Sequence, residues 1–252
     1  MPLHAVLTLV FLASSAQAAT KSFPLCPVLP LSHYLQSATY ECEFGELLRV
    51  EGNPFRFTVK DFSFSATDVN PSTGLPTGAP IATSDQILVT PAALLGEPFR
   101  FESPLFDIGP FQYVKYLFGF TVDPAPPIIP GFEAQLFTET PVFPGNATLT
   151  FQLCRGSKWM EGQSCPGGAD DIYTLELFHT GLPAGNVLNQ AVVFASPTNI
   201  VGVLAELVLD TRQGGTSQIA GFGGGASTHL PEPSTLLLCA AGLVALILRS
   251  RG

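Results

Sequence analysis

Basic side chains are scarce in this sequence of 252 residues: Lys and Arg together number 11, against 20 Asp and Glu. The formal net charge is −9 at pH 7, and charged residues of both signs make up only 12% of the chain. A protein that binds nucleic acid needs a basic stripe to neutralise the phosphate backbone. The composition therefore argues against nucleic acid as a partner.

Motifs that carry catalysis or bind metal are also missing. The sequence has no Gly-x-Ser-x-Gly elbow, no His-Glu-x-x-His and no Cys-x-x-Cys pair, and His33 and His179 lack the spacing of metal ligands. The acidic pair Asp170-Asp171 lies in a Gly/Pro-rich stretch, where it is expected to solvate a loop. We therefore expect no metal and no cofactor, and we favour a non-catalytic protein over an enzyme.

Phenylalanine, glycine and proline are abundant, with 20, 24 and 23 residues. Aromatic side chains fill pleated cores, and Gly and Pro punctuate turns. Proline recurs throughout while Lys, Glu and Gln are scarce, which disfavours long helices. The composition predicts an all-β fold, either an antiparallel β-sandwich or a jelly-roll-like domain.

Hydrophobic periodicity marks individual strands. Residues 114–122 and 149–153 carry an apolar side chain at every second position, as strands with one buried face do. Across residues 55–66 the alternation changes phase at Lys60-Asp61, which predicts a β-bulge or a bend between sheets. Residues 201–209 are apolar enough for a central strand.

The first 18 residues have the form of a signal peptide. Residues 5–13 are apolar apart from Thr8, and Ala16-Gln17-Ala18 supplies the small-x-small pattern of a cleavage site. No Lys or Arg precedes the apolar run, which departs from the usual pattern. We expect cleavage after Ala18 and export of the remainder.

The other end carries a more specific pattern. Pro231-Glu232-Pro233 is followed by the uncharged residues 234–248 and then by Arg249 and Arg251. The uncharged segment predicts a short transmembrane helix, with the two arginines on the cytoplasmic side. This order of motif, apolar helix and basic end resembles the PEP-CTERM sorting signal of Gram-negative bacteria, over residues 230–252 only.

The resemblance implies a route and a location. In that family a membrane protease, exosortase, is thought to cut near the motif and to release or re-attach the protein, and family members tend to accompany exopolysaccharide production. Carried over, Pro231, Glu232 and Pro233 are the residues that an exosortase-type processing protease recognises. The chain is then anchored in the inner membrane by its C-terminal helix before processing, and it is at the cell surface or secreted afterwards.

These features give an expected domain plan of four parts. Residues 1–18 form the signal peptide, 19–210 a β-sandwich-like extracytoplasmic domain, and 230–252 the sorting tail. Residues 211–229 are rich in Gly, Ser and Thr, a composition typical of a flexible tether. The Gly-Phe-Gly within this segment lacks the βαβ context of a dinucleotide-binding loop.

Four cysteines, Cys26, Cys42, Cys154 and Cys165, fall in the exported part. An even number outside the cytoplasm predicts two disulfides, for which three connectivities are possible. We favour the local pairs Cys26–Cys42 and Cys154–Cys165, because each pair brackets a short loop.

The segment between Cys154 and Cys165 holds the sole tryptophan of the chain, Trp159, close to Arg155 and Lys158. A stapled loop can present such a ring to a sugar or anchor a protein partner. The alternative interpretation is that Trp159 folds back to cover the sheet.

A short internal repeat supplies another candidate site. The hexapeptide Gly-Asn-Pro-Phe-Arg-Phe at 52–57 recurs as Gly-Glu-Pro-Phe-Arg-Phe at 96–101. It suggests two equivalent strands, with phenylalanines inward and arginines outward. Arg56 and Arg100 are then a candidate anion-binding pair, with two independent solvent-facing arginines as the simpler interpretation.

Two functional hypotheses follow. The first is a non-catalytic surface or matrix protein that acts as a binding or structural module, with exopolysaccharide as the implied partner. The second is a secreted hydrolase of glycans or esters whose site is built from scattered loop residues, since two converging carboxylates suffice for glycoside hydrolysis. A deep cleft with converging carboxylates or a histidine would favour the hydrolase, and a shallow face with exposed aromatics would favour the binding module.

Overall fold

The computed structural model describes residues 24–36, 42–50, 53–92, 98–124, 129–138, 145–159, 164–180 and 185–227. The predicted signal peptide and sorting tail lie outside these residues. The described part contains one short helix, α1 (Leu31–Leu35), and two 3-10 turns, Ser84–Gln86 and Ala169–Asp171. No helix within it is long and apolar enough to cross a membrane.

Strands make up most of the described chain. Their bounds are β1 Leu29–Pro30, β2 Gly45–Val50, β3 Asn53–Thr67, β4 Leu88–Thr90, β5 Phe99–Glu102, β6 Asp107–Ile108, β7 Tyr113–Pro124, β8 Ile129–Phe137, β9 Asn146–Arg155, β10 Ile172–His179, β11 Asn189–Thr198, β12 Val201–Asp210, β13 Ser217–Gln218 and β14 Gly221–Ser227.

The strands form two antiparallel sheets of six. The first sheet has the order β1-β4-β5-β14-β8-β11, and the second has the order β10-β9-β12-β7-β3-β2. A small ladder of β6 and β13 accompanies them. The all-β prediction is confirmed, and the antiparallel sheets agree with a β-sandwich.

Aromatic rings join the two sheets across one core. Phe101 of the first sheet meets Phe118 of the second with ring centroids 4.9 Å apart, and Phe132 meets Phe151 at 5.7 Å. Such pairs contribute about 0.5–1.5 kcal/mol beyond the burial of their area. Every second residue of 114–122 is buried, as the alternation predicted, and β12 lies inside its sheet between β9 and β7.

The phase change in β3 is a real irregularity. The register of β3 against β7 shifts between Lys60 and Ser63, and Asp61 adopts a positive φ of 55°. Aspartate tolerates this left-handed conformation better than most residues. The bulge lets Val59 before it and Phe64 after it both face the core.

The repeated hexapeptides lie in different sheets. Phe57 of β3 and Phe99 of β5 are both buried, and their rings approach to 6.4 Å across the core. The two copies therefore contribute inward phenylalanines to opposite sides of one core. They belong to strands that face each other across it.

The predicted flexible tether is wrong for most of its length. β14 lies between β5 and β8 in the first sheet, and the side chain of Phe222 is fully buried. Its glycines permit close approach: a Cβ at Gly223 would lie 2.6 Å from the Phe99 carbonyl oxygen, and one at Gly224 would lie 2.8 Å from the Phe132 ring. The glycine content reflects steric crowding, and the domain extends to Ser227.

Candidate functional site

The outer face of the second sheet carries a depression of about 140 Å³. Antiparallel register places outward side chains of neighbouring strands side by side. Gln152 of β9 pairs with Leu204 of β12, and Thr150 pairs with Glu206. Leu117 of β7 pairs with Glu206 from the other side. These five residues, here called the outer depression, line the feature.

Next to the outer depression, one strand position on this face is a glycine and so has no side chain. Gly119 of β7 pairs with Leu204 on one side and with Ser63 of β3 on the other. A Cβ at position 119 would collide with the Ser63 hydroxyl and would lie 3.5 Å from a methyl group of Leu204. Glycine at this strand position therefore leaves room for its neighbours to lean inward.

The chemistry of the outer depression is mixed. Thr150, Gln152 and Glu206 supply hydrogen-bonding groups, and the two leucines supply apolar contact. The Glu206 carboxylate lies 3.4 Å from the Lys115 ammonium, and both side chains are about two-fifths exposed. An ion pair so open to solvent is weak, so both groups remain available to a ligand.

Trp159 lies next to the outer depression because its loop folds back over the sheet. The amide of Gly202 donates to the Ser157 carbonyl oxygen at 2.7 Å, and the Trp159 indole N–H donates to the Gln152 carbonyl oxygen at 3.2 Å. A Cβ at Gly202 would lie 2.6 Å from the Trp159 amide nitrogen. Trp159 is half-buried, so it both covers the sheet and borders the site.

Both predicted disulfide pairs are present. Cys26 and Cys42 are bonded with their Cα atoms 4.8 Å apart, and Cys154 and Cys165 with theirs 5.5 Å apart. The second bond closes the loop that carries Trp159. In the part of the chain that the structure describes, no three His, Cys, Asp or Glu side chains group as metal ligands.

Arg155, beside Trp159 in sequence, is occupied by a structural role. Its Nε donates to Asp171 Oδ1 at 2.8 Å, and its Nη1 donates to the Ser196 carbonyl oxygen at 3.4 Å. The guanidinium thus ties the end of β9 to the start of β10 and to β11. Lys158 is exposed.

The repeated arginines occupy different strands and sheets. Arg56 lies in β3, and its side chain is outside what the structure describes. The Arg100 guanidinium in β5 stacks over the Phe137 ring at 4.5 Å and lies 3.9 Å from the Glu102 carboxylate. Arg100 therefore packs over the glycine-rich strand between β5 and β8.

Phe111 is a feature that sequence reasoning missed. Its side chain is 72% exposed, the largest fraction among the exposed bulky apolar residues of the described chain, and its φ is +62°. The available signal was the preceding Gly109-Pro110 dipeptide, which marks a turn. A turn signal alone does not reveal which way an aromatic ring points.

Comparison with known proteins gives little. No protein-family model and no curated protein matches the chain. One solved structure, a family 61 carbohydrate-binding module in complex with β-1,4-galactotriose, is similar at 12% sequence identity with a TM-score of 0.31. The match covers 66% of this chain and 89% of that one. A likeness this distant identifies no ligand for the present chain.

Proposed function

We propose that this chain is an exported, non-catalytic glycan-binding module of the cell surface or extracellular matrix, sorted by its PEP-CTERM-like tail. Its ligand is exopolysaccharide, and the outer depression beside Trp159 is the binding site. The observation that carries the proposal is the solvent-open sheet face where polar side chains and an aromatic ring meet.

The chemistry of a sugar ring matches this arrangement. Hydroxyl groups both donate and accept hydrogen bonds, as Thr150, Gln152 and Glu206 require. The C–H groups of a pyranose face are apolar and weakly positive, and they pack on leucine side chains or on the negative face of an aromatic ring. A depression on the outer face of a sheet also lets a polymer continue in both directions.

The binding proposal is tested by one pair of matched variants. Thr150→Val removes a hydroxyl from the outer depression, and Thr148→Val makes the same change two residues away on the same strand, at an exposed position outside it. With exopolysaccharide purified from the host, we expect calorimetry to show about tenfold weaker binding for Thr150→Val and unchanged binding for Thr148→Val. Equal affinities for both variants and wild type would place the ligand elsewhere.

The sorting proposal has an independent test. The intact mass of the native protein from its host, measured with and without reduction, reports the removal of residues 1–18, the C-terminal boundary and the number of disulfides. A boundary near Pro231-Glu232-Pro233 supports exosortase-type processing. A mass that includes Gly252 would mean a plain membrane anchor and would overturn the sorting proposal.

The hydrolase alternative has one observation in its favour. Glu176 of β10 and Glu206 of β12 flank Thr150 in one row across three strands. Two strand spacings place their backbones about 10 Å apart, so the two side chains would have to lean toward each other to reach the separation of about 6.5–9.5 Å between the carboxyl groups of inverting glycosidases. New reducing ends released by wild type and lost in Glu206→Gln would favour hydrolysis over binding alone.

A further inference from the structure

The turn at Phe111 holds an aromatic ring out into solvent in a costly backbone conformation. A bulky residue at positive φ costs about 1–3 kcal/mol and persists only where its surroundings enforce it. Here the Phe111 amide donates to the Thr211 carbonyl oxygen at 2.9 Å, and the Thr211 amide donates to the Gln112 carbonyl oxygen at 3.0 Å. The Gly109 amide donates to Gln112 Oε1 at 2.7 Å. Hydrogen bonds to Thr211 and Gln112 therefore hold the turn in this conformation.

A polar network joins this turn to two neighbouring loops. Arg212 donates from Nε and Nη2 to Asp210, at 3.0 and 2.6 Å, and from Nη1 to Asn70 Oδ1 and Ser72 Oγ, both at 3.1 Å. Its guanidinium also stacks over the Tyr113 ring at 5.1 Å. Residues 68–77, 109–112 and 210–215, here called the tip, are thus cross-linked into one surface.

One side of the Phe111 ring is supported and the rest is open. A Cβ at Gly214, which has a φ of +101°, would lie 3.9 Å from the ring. The ring thus has the tip's backbone beside it, while 72% of the side chain remains exposed. The same surface also carries polar groups, among them the exposed Ser72 hydroxyl on the neighbouring loop.

This setting favours a sugar over a protein partner. One phenylalanine and the exposed Leu75 on the neighbouring loop supply far less than the roughly 800 Å² that each partner contributes to a stable protein interface. A pyranose needs one ring face for its C–H groups and nearby polar groups for its hydroxyls, and the tip offers both.

The tip lies at one end of the sandwich, and the last strand, β14, finishes at the opposite end. Tyr113, at the start of β7, pairs with Asp210 at the tip. β14 begins at Gly221, paired with Phe137, and runs away from the tip to Ser227, paired with Gly131. Only three residues then separate Ser227 from Pro231. A sorting tail therefore holds the far end of the domain and leaves the tip facing outward.

We propose that the tip is a second glycan site centred on Phe111, so that one molecule bridges two polysaccharide chains. The inference rests on the proposed glycan-binding function. Trp159 neighbours Gln152, which lies in one row with Gly119 of β7, and Phe111 lies eight residues before Gly119 along the same chain. β7 begins at Tyr113, next to the tip. Its six residues from there to Gly119 span about 20 Å at about 3.3 Å per residue, so Trp159 and the tip can each hold a separate strand of polymer.

The test uses the mature full-length protein and host exopolysaccharide, both intact and sheared into short fragments. Phe111→Asn removes the ring and keeps a residue that tolerates positive φ; Phe111→Tyr restores a ring; Phe178→Ala removes another exposed phenylalanine, on β10 outside the outer depression. We expect calorimetry with fragments to show two sites in wild type, Phe111→Tyr and Phe178→Ala, and at least a tenfold weakening of one site in Phe111→Asn.

Light scattering with intact polysaccharide reports the bridging. Wild type is expected to raise scattering sharply, and Phe111→Asn is expected to abolish the rise while still binding through one site. Two unaltered sites in Phe111→Asn would overturn the inference and leave the proposed function standing. Absence of any polysaccharide binding by wild type would refute the proposed function itself. Loss of binding to phosphatidylcholine vesicles or to another protein in Phe111→Asn, with glycan binding intact, would assign the tip to a different partner.

Discussion

The rings of Phe101 and Phe222 stack in the core with their centroids 5.0 Å apart and their planes 26° from parallel. They are direct cross-strand partners in β5 and β14. Phe222 also meets Phe118 of the opposite sheet at 4.9 Å. A glycine-rich stretch thus supplies one of the most connected aromatic residues of the core.

Phe222→Ala is therefore expected to lower the free energy of unfolding by about 3–5 kcal/mol, because it removes a fully buried ring and leaves a cavity. Phe111→Ala makes the same change at a side chain that is 72% exposed and is expected to cost less than about 1 kcal/mol. Urea denaturation of both variants measures the difference. Similar losses at the two positions would mean that β14 is not part of the folded core.

Gly202→Ala is expected to displace the loop that carries Trp159. The new Cβ would lie 2.6 Å from the Trp159 amide nitrogen and 2.7 Å from the Ser157 carbonyl oxygen, and backbone atoms cannot move aside as a flexible side chain can. We expect a stability loss of about 1–3 kcal/mol and a red shift of the fluorescence from the sole tryptophan.

Gly109→Ala is the matched control for that variant, because its Cβ would meet only the end of the Gln112 side chain, at 3.4 Å. It is expected to leave the tryptophan emission unchanged. An unshifted spectrum in Gly202→Ala would contradict the packing of the loop on β12.

Removal of either disulfide is expected to destabilise the domain by about 3 kcal/mol, the value for closing a loop of about 15 residues in the chain-entropy treatment. The bonded cysteines are 16 and 11 residues apart. Only the double variant Cys154→Ser with Cys165→Ser should also alter Trp159 emission, since that bond closes its loop. Identical emission changes in the Cys26/Cys42 double variant would argue against this assignment.

Asp210 gives the tip a defined dependence on pH. Hydrogen bonds from the Arg212 side chain hold the pKa of the Asp210 carboxyl below its ordinary value of 3.8. Because the folded pKa is lower than the unfolded one, the stabilisation is complete above pH 3.8 and is lost as the pH falls through the folded pKa. The stability gap between wild type and Asp210→Asn should therefore stay constant above pH 3.8 and narrow as the pH is lowered below it.

Asp85→Asn, at an exposed carboxylate, controls for the change in net charge. Thermal unfolding across this pH range measures both variants. A gap between wild type and Asp210→Asn that stays constant with pH would mean that the Arg212 contact does not favour the ionised carboxylate.

The strands were predictable where one face is buried, because side chains then alternate with a period of two residues. The buried positions of β7 and β9 and the phase change at Asp61 followed from the sequence for this reason. β14 was not predicted, because its inward positions are occupied by Phe222, Gly224 and Ala226, and only the first is a large apolar side chain. A strand whose glycines allow close packing has the same glycine-rich composition as a flexible linker, so composition alone does not distinguish the two.

Of the candidate sites, the Trp159 loop was predictable from the sequence and the outer depression was not. The sequence singled out Trp159 because it is the sole tryptophan in a loop between two cysteines, and local pairing of Cys154 with Cys165 followed from their short separation. The outer depression combines residues of β7, β9 and β12, which only strand register brings together. No local pattern specifies such a register between distant segments.

The sequence by itself determined the all-β class and the pairing of the cysteines, because each depends on composition or on short-range pattern. The export signals read from the two ends stay predictions. The tertiary structure decided that the glycine-rich segment is an inner strand and that Arg155 is committed to Asp171. It also decided that Phe111 stands exposed at the tip. These outcomes depend on which distant residues occupy the neighbouring space, and that is set by the packing of whole sheets.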